Sequence, residues 1–313
     1  MKKSHYELII LGSGPAGLTA GLYAARARTD HLLIEKGAAG GQVLLTDWVD
    51  NYPGFPDGLS GFELAEKMES HARRFGLTTR TAEVVSMDLL QSPKVLTLED
   101  GEQLTCDALI ICSGARPQRL DIPGEIELTG KGVSYCATCD APFYRDMHVA
   151  VVGGGNTAIQ EAAHLTKFAS RVTVIHRRDA LRATKIVQEK AFANKKIDFI
   201  WNSHVTAIEG GKGVERLQLK DNNGKETTLA VDGIFILIGV IPNNEMLPLQ
   251  VLKAEDGGFI PTDNETRTAI PGVMAAGDIR RKEVRQIVNA AGEGATAVLA
   301  AEQYLNSLGA VTR

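Results

Sequence analysis

The chain has 313 residues and a formal net charge of −4, from 34 lysines and arginines against 38 aspartates and glutamates. This length predicts two domains, each large enough to bury its own core. The charge balance favours neither nucleic acid nor an anionic membrane as a partner, and no stretch reaches the roughly 20 apolar residues that cross a bilayer. Because four cysteines do not make a disulfide scaffold in so long a chain, we expect a reducing, cytoplasmic setting.

The N-terminal segment ELIILGSGPAGLTAGLYAARA predicts a buried strand, a tight turn and a helix rich in small residues. The turn has the pattern Gly-x-Gly-x-x-Gly, which lets the backbone approach a pyrophosphate at the start of the helix. Its residues are Gly12, Ser13, Gly14, Pro15, Ala16 and Gly17. Glu35 closes the next strand, where an acid can accept a hydrogen bond from a ribose hydroxyl. This first unit therefore predicts a dinucleotide whose ribose carries no phosphate.

A second copy of the pattern begins in HVAVVGGGNTAIQEAAHLTK. Its turn residues are Gly153, Gly155, Asn156, Thr157 and Ala158. The position equivalent to Glu35 is His176, and a basic cluster of Arg177, Arg178 and Arg182 follows it. Guanidinium groups in place of an acid favour a phosphate on the ribose. The second unit therefore predicts NADPH rather than NADH.

The two copies also end alike, at Gly114 and Pro117 and again at Gly239 and Pro242. This repeat predicts an α/β protein with two Rossmann-like dinucleotide-binding domains, the second inserted into the first. We expect the inserted domain at residues 117–247. The tail, residues 248–313, is too short for a comfortable core and should fold back onto residues 1–116. Linkers near 116–119 and 243–247 should act as hinges.

Between the two turns, the stretch VSYCATCDAPFY sets Cys136 and Cys139 three positions apart and follows them with Asp140. A zinc site would need two more ligands, and the remaining cysteines are spaced around an apolar strand, so we predict no metal. A permanent bridge across so small a ring would stabilise little. The pair therefore favours a dithiol that opens and closes, helped by a helix N-terminus that lowers the thiol pKa. Asp140 is either a proton shuttle or a cap.

The motifs GSGPAG, GGQVLLTDWVDNYPGFP, YCATCD, GGGNTA, HRRDALRA and IPGVMAAGD together resemble the low-molecular-weight, bacterial-type thioredoxin reductases. The resemblance covers nearly the whole chain, and Ala141 departs from it where the family commonly has glycine. It implies three-layer ββα domains, a homodimer, FAD in the first domain and NADPH in the second. It also implies that Cys139 faces the flavin, that Cys136 attacks the partner's disulfide and that Asp140 supplies a proton. The further FAD residues that it implies are Gly40, Gly41, Gln42, Asn51, Gly277, Asp278, Arg285, Gln286 and Ile287.

The resulting prediction is NADPH-dependent reduction of thioredoxin through FAD and the Cys136–Cys139 pair. Since the pair precedes Gly153 closely, the dithiol and the nicotinamide site should share the inserted domain, which would rotate about its linkers between half-reactions. Alternatives are a flavin-dependent dithiol oxidase, a reductase of another thioredoxin-like protein, and a ferredoxin-fed reductase. The arginine cluster argues against the oxidase and the ferredoxin-fed enzyme. A non-enzymatic alternative is a flavin redox sensor.

Overall fold

In the computed structural model, which describes residues 3–46, 48–254 and 257–311, the chain forms two compact units. Unit 1 comprises Met1–Arg116 and Ile241–Arg313, and unit 2 comprises Pro117–Val240. The chain returns to unit 1 at Ile241, whereas we expected residue 248. Asn243 accounts for the difference, because its backbone N–H donates to Gly114 O and its side chain donates to Ser113 O at 2.8 Å.

The strands, numbered along the chain, are β1 His5–Leu11, β2 His31–Glu35, β3 Thr79–Thr81, β4 Val84–Asp88, β5 Lys94–Leu98, β6 Gln103–Ile111, β7 Ala115–Pro117, β8 Val133–Ser134, β9 His148–Val152, β10 Arg171–Ile175, β11 Ile197–Ile200, β12 Ser203–Glu209, β13 Arg216–Asp221, β14 Glu226–Ala230, β15 Gly233–Ile236, β16 Val240–Pro242 and β17 Val273–Ala275. The α-helices are α1 Pro15–Ala27, α2 Gly61–Arg74, α3 Ala137–Asp140, α4 Asn156–Leu165, α5 Lys185–Phe192 and α6 Ile287–Val311. Two short 3-10 helices span Gly41–Leu45 and Ala141–Tyr144.

Unit 1 is built on a mixed sheet in the order β3-β2-β1-β6-β5-β4. β3, β2, β1 and β6 run parallel, and β17 pairs in parallel with the end of β6. The first half of β6 instead pairs antiparallel with β5. β1 alternates its buried side chains: Leu8 and Ile10 pack in a cluster with α1 and α6, whereas Ile9 packs in a cluster with β4 and β5. Strands buried on both faces explain the nearly continuous apolar runs of the sequence.

Unit 2 repeats this plan with a parallel sheet in the order β11-β10-β9-β15-β8 and a separate antiparallel sheet, β12-β13-β14. Val149 and Val151 of β9 pack in a cluster with α4, while Ala150 packs in a cluster with Leu217 of the antiparallel sheet. Helices, parallel sheet and antiparallel sheet thus form three layers. Both units are Rossmann-like, and the fold class predicted from the sequence is confirmed.

The two segments that connect the units pair with each other as strands β7 and β16. Gln118 extends this pairing by donating its N–H to Gly239 O at 2.9 Å. Among the described helices, none combines the length and the apolar character needed to span a membrane.

Helices α1 and α6 of unit 1 pack with their backbones in contact, because Gly294 of α6 has no side chain. A Cβ at residue 294 would overlap the carbonyl oxygen of Ala16 and would lie 3.1 Å from the backbone nitrogen of Ala20. In contrast, a Cβ at Gly292, two residues earlier in the same helix, would meet no atom within 4 Å. The contact between α1 and α6 therefore depends on Gly294 and not on Gly292.

We predict that Gly294→Ala lowers the free energy of unfolding by about 1–3 kcal/mol, because the helices must separate to admit the methyl group. The matched control Gly292→Ala should be neutral or stabilising by up to about 1 kcal/mol, since alanine has the higher helix propensity. Urea unfolding of both variants measures the difference. Equal stability of Gly294→Ala and the wild type would contradict the close packing of α1 on α6.

Candidate active site

The first glycine turn joins β1 to α1 in unit 1. Gly12 has φ +99°, and a Cβ there would overlap the carbonyl oxygen of Cys112. Gly17 likewise has no room for a side chain, because its Cβ would overlap Gly12 O. Gly14 differs, since its Cβ would meet no atom within 4 Å. The turn is therefore closed by Gly12 and Gly17 and open at Gly14, where the N–H groups that begin α1 are available to an anion.

Glu35, at the end of β2, contacts this turn directly. Its Oε2 accepts hydrogen bonds from the N–H of Ser13 at 2.8 Å and from the Ser13 hydroxyl at 2.9 Å, and its Oε1 accepts from Gly37 N–H at 3.0 Å. A carboxylate has about four lone-pair sites, so Glu35 keeps acceptor capacity for a ribose hydroxyl. The structure thus places Glu35 at the predicted edge of the turn and gives it a further role in holding Ser13.

The segment that starts at Gly40 lies against the same turn. The Gly40 N–H donates to Ser13 O at 2.9 Å, and a Cβ at Gly41 would lie 3.1 Å from Gly14 Cα. Both glycines have positive φ, +128° and +59°, so the chain approaches Gly14 in a conformation that other residues rarely adopt. Gln42 follows in the short 3-10 helix.

The remaining predicted flavin residues converge on unit 1 from the far end of the sequence. Asn51 donates from its side chain to Gln286 Oε1 at 3.1 Å, and Ile287 packs in a cluster with Val43. Gly277, with φ +80°, follows β17, and its Cβ would lie 3.0 Å from the Ala16 Cβ. Segments from both ends of the chain therefore meet in unit 1, and Gly277 lies against the first glycine turn.

Three buried polar atoms of unit 1 lack a hydrogen-bond partner among the described residues: Ser113 Oγ, Asp278 Oδ1 and Arg285 Nε. Ser113 follows β6 and Asp278 follows the adjacent β17, at the edge where parallel sheets bind ligands. Asp278 Oδ1 lies 3.2 Å from Lys282 Nζ, an ion pair without hydrogen-bond geometry. An unsatisfied buried polar atom costs about 1–3 kcal/mol. Polar groups of a bound dinucleotide are the kind of partner that these atoms lack, so the site fits such a ligand.

The second glycine turn joins β9 to α4 in unit 2 and repeats this geometry. A Cβ at Gly153 would lie 2.6 Å from the Ala158 Cβ, whereas a Cβ at Gly155 would meet no atom within 4 Å. Gly154 O accepts the backbone N–H of Arg182 at 2.7 Å, and Asn156 Oδ1 accepts that of Thr184 at 2.7 Å. The turn, with Thr157 on the first exposed turn of α4, is thus tied to the segment that carries the arginines.

His176 follows β10 at the position equivalent to Glu35 in unit 1, but its side chain is buried. It is 5% exposed, and its ring fills the space that a side chain at Gly154 would need. Its Nε2 pairs with Ala180 O at 3.1 Å, and Trp201 packs edge-on against it at 6.3 Å. Burial lowers the pKa of His176 below its ordinary value. This position favours a neutral imidazole that supports the loop, and direct contact with a phosphate stays a prediction.

Arg177, Arg178 and Arg182 are exposed around this buried histidine. Within the described part of the chain, none of the three has a carboxylate partner. Unpaired guanidinium groups beside an open glycine turn are suited to bind a phosphate. Sequence reasoning missed Gly154 and Trp201, which fix the loop; the third glycine of Gly153-Gly154-Gly155 was a signal for the former, and nothing in the sequence indicated the latter.

Cys136 and Cys139 form a disulfide in unit 2, with Cα atoms 5.3 Å apart. Cys136 caps α3, and its Sγ accepts a hydrogen bond from the Cys139 N–H at 3.2 Å. The pairing and the helix start therefore agree with the prediction. An N–H donor that points at Cys136 Sγ would also stabilise a thiolate there.

Asp140 is held close to the cysteines by Ser134. The Ser134 hydroxyl donates to Asp140 Oδ2 at 2.5 Å and accepts from the Cys136 N–H at 3.1 Å. Burial, together with the charge of Asp140, raises the pKa of Tyr144 to about 12, which keeps this neighbour neutral. Ala141 is fully buried with φ −51°, so the departure from glycine at this position introduces no strain. Ser134 had no signal in the sequence beyond its proximity to Cys136.

Comparison with known proteins identifies the family. Residues 6–294 match the family of pyridine nucleotide-disulphide oxidoreductases. The chain belongs to this family. It is 46% identical over 309 residues to the thioredoxin reductase of Peptoclostridium acidaminophilum, which covers 96% of this chain and 98% of the relative. The crystal structure of thioredoxin reductase from Streptococcus pyogenes is 43% identical, with a TM-score of 0.92 over 98% of this chain and 100% of that chain.

Similarity to the thioredoxin reductase of Listeria monocytogenes, 44% over 97% of this chain and 95% of the relative, adds a third example. Membership of the pyridine nucleotide-disulphide oxidoreductases implies a flavin and a nicotinamide cofactor. The predicted resemblance and enzyme class, a flavoprotein oxidoreductase of the thioredoxin reductase type, are confirmed.

The two other cysteines of this oxidoreductase have thiols whose pKa is raised by burial. Cys106 lies in β6 and Cys112 follows that strand, and both are buried. Burial raises the pKa of Cys106 to about 12 and also raises that of Cys112 strongly. Burial therefore disfavours the thiolate form of both cysteines. Within the described residues, no group of three or more histidine, cysteine, aspartate or glutamate side chains could hold a metal ion.

We predict that, after reduction, iodoacetamide at about pH 8 modifies Cys136 and Cys139 in the native protein and leaves the other two cysteines intact, because alkylation requires a thiolate. In urea all four should react. Intact-mass measurement with peptide mapping distinguishes the outcomes. Rapid native modification of Cys106 or Cys112 would contradict the assignment of a single reactive pair.

Proposed function

We propose that the protein catalyses NADPH-dependent reduction of thioredoxin through FAD and the Cys136–Cys139 pair. The observation that carries the proposal is the Cys136–Cys139 disulfide at the start of α3, in the same unit as the arginine-flanked glycine turn. Relatives that share 43–46% identity over nearly the full length are named thioredoxin reductases. The family assignment implies a flavin and a nicotinamide cofactor. That the cofactors are FAD and NADPH and that the partner is thioredoxin is part of the proposal.

FAD fits unit 1 because the unit provides a dinucleotide turn rather than a single phosphate site. Gly14 leaves room for a pyrophosphate, and Glu35 can accept a hydrogen bond from a ribose hydroxyl. One buried polar atom in each of Ser113, Asp278 and Arg285 lacks a hydrogen-bond partner among the described residues, and the ligand could supply one. When bound, the flavin would supply two-electron transfer between the nicotinamide and the disulfide. Unit 1 would bind and orient it, and Gln286, held by Asn51, would fix the start of α6 beside it.

The dithiol chemistry follows from the hydrogen bonds around the pair. The Cys136 thiolate, stabilised by the Cys139 N–H, would attack one sulfur of the thioredoxin disulfide and form a mixed disulfide, and the released thioredoxin thiolate would take up a proton. The Cys139 thiolate would then attack Cys136 Sγ, which reforms the Cys136–Cys139 bond and releases the second thioredoxin thiolate. Asp140, anchored through Ser134, would move protons to and from these sulfurs.

The alternation predicted from the sequence stays part of this proposal. The dithiol and the arginine-flanked turn belong to unit 2, and the first glycine turn belongs to unit 1. Since a hydride donor and a disulfide must each approach the flavin, unit 2 would turn about the two linkers between half-reactions. A homodimer and a cytoplasmic location also remain predictions, supported by the resemblance and by the cysteine content.

We predict that replacing both Arg177 and Arg178 by alanine raises the KM for NADPH by about tenfold or more per lost charge-assisted contact and changes the KM for NADH little. A matched double variant, Lys212→Ala with Lys225→Ala, removes the same charge from exposed positions of unit 2 away from the turn. Steady-state kinetics with both nucleotides measures the preference. If the arginine variant keeps the wild-type discrimination, the phosphate is bound elsewhere.

The decisive experiment follows NADPH consumption with bacterial thioredoxins and with oxygen alone. We expect sustained turnover that yields one thioredoxin dithiol per NADPH. Cys139→Ser should abolish this turnover while the protein retains its flavin, and Cys106→Ala should preserve it. Oxygen-only turnover would support the dithiol oxidase instead. A single stoichiometric reduction without turnover would support the redox sensor, and either result would refute the proposed activity.

A further inference from the structure

Helix α4 sends one carboxylate to the short helix that carries the disulfide. Glu161 accepts two hydrogen bonds from Thr138: the backbone N–H donates to Oε2 at 2.9 Å, and the hydroxyl donates to Oε1 at 3.0 Å. Thr138 is the residue directly before Cys139, inside the Cys136–Cys139 ring. Both oxygens of Glu161 are thus engaged by one residue of the redox loop, although the two helices are distant in sequence.

The contact occupies a specific donor at the start of α3. Of the backbone N–H groups there, Cys139 donates to Cys136 Sγ and Asp140 donates to Cys136 O at 3.2 Å. The Thr138 N–H instead donates to Glu161. The carboxylate of Glu161 is therefore held against Thr138, the residue directly before Cys139.

The other ionisable groups around the dithiol have different partners. Asp140 is bound to Ser134, Tyr144 is buried beside it, and Tyr135 donates its hydroxyl to the buried Glu125 at 2.8 Å. Glu161 is the ionisable side chain that α4 directs at Thr138. Both of its oxygens accept from Thr138, and among the described residues no hydrogen bond joins Glu161 to either cysteine. We therefore assign its effect on the sulfurs to position and charge.

We propose that Glu161 is a positioning residue of the redox pair, which fixes Thr138 between the cysteines and by its charge raises the pKa of the attacking thiol, so that the disulfide is favoured at rest. A nearby like charge disfavours a thiolate, and fewer thiolates favour the oxidised pair. This inference rests on the proposed function, since it assigns a role only if Cys136 and Cys139 cycle.

The test separates position from charge with two variants of the full-length protein. Glu161→Gln keeps an acceptor for the Thr138 N–H and loses the charge, whereas Glu161→Ala loses both. Glu189→Gln, on exposed α5 of the same unit, is the matched charge control. The rate of iodoacetamide reaction with the reduced protein is measured against pH by mass spectrometry, together with hydrogen exchange of the peptide that contains Thr138.

We expect Glu161→Gln to lower the midpoint of the alkylation profile by about one pH unit and to shift the dithiol–disulfide equilibrium with glutathione toward the dithiol by up to about tenfold. Glu161→Ala should give the same shift and in addition lose exchange protection at Thr138, which Glu161→Gln should retain. An unchanged midpoint in both variants, or an equal shift in Glu189→Gln, would overturn the proposal. Neither assay uses NADPH or thioredoxin, so a failure of thioredoxin turnover would refute the proposed function separately.

Discussion

The structure depends on two glycine turns that leave no room for a side chain at a glycine. In unit 1 the carbonyl oxygen of Gly12 occupies the space that a Cβ at Gly17 would need, and in unit 2 a Cβ at Gly153 would lie 2.6 Å from both the Ala158 Cβ and the carbonyl oxygen of Leu237. Each contact lets a helix begin directly at the end of a parallel strand, with its N–H groups facing the open side of the turn. Each of the two units contains one such turn.

The second organising feature is the set of hydrogen bonds that surrounds the disulfide. The helix α3 has only four residues, too few to be stable by itself, so its conformation relies on Ser134, Asp140 and Glu161. These partners come from β8, from α3 itself and from α4. The same contacts that build the helix also place two carboxylates near the sulfurs. Stability and redox chemistry are thus coupled at one site.

In unit 2 the second glycine turn has a buried histidine beside it and exposed arginines around it. His176, the residue that replaces an acid, is buried against Gly154 and Trp201, and the arginines extend outward from the loop that it supports. The histidine side chain packs inside the loop and supports it, whereas the positive charge lies on the exposed arginines. Because the charged groups are at the surface, a neutral imidazole can be buried within a strongly basic segment.

The sequence by itself determined the elements whose signals are local: the two glycine turns, the strand ends at Glu35 and His176, the CxxC pair and the insertion of one domain into another. Backbone sterics and hydrophobic periodicity act over a few residues, so they are readable without a structure. Only the tertiary structure decided the partners that come from distant segments. Glu161 meets Thr138, Trp201 packs on His176, and Asn243 draws the returning chain into unit 1 at Ile241 rather than at residue 248. These contacts depend on how helices and strands pack, and neither residue type nor spacing specifies that packing.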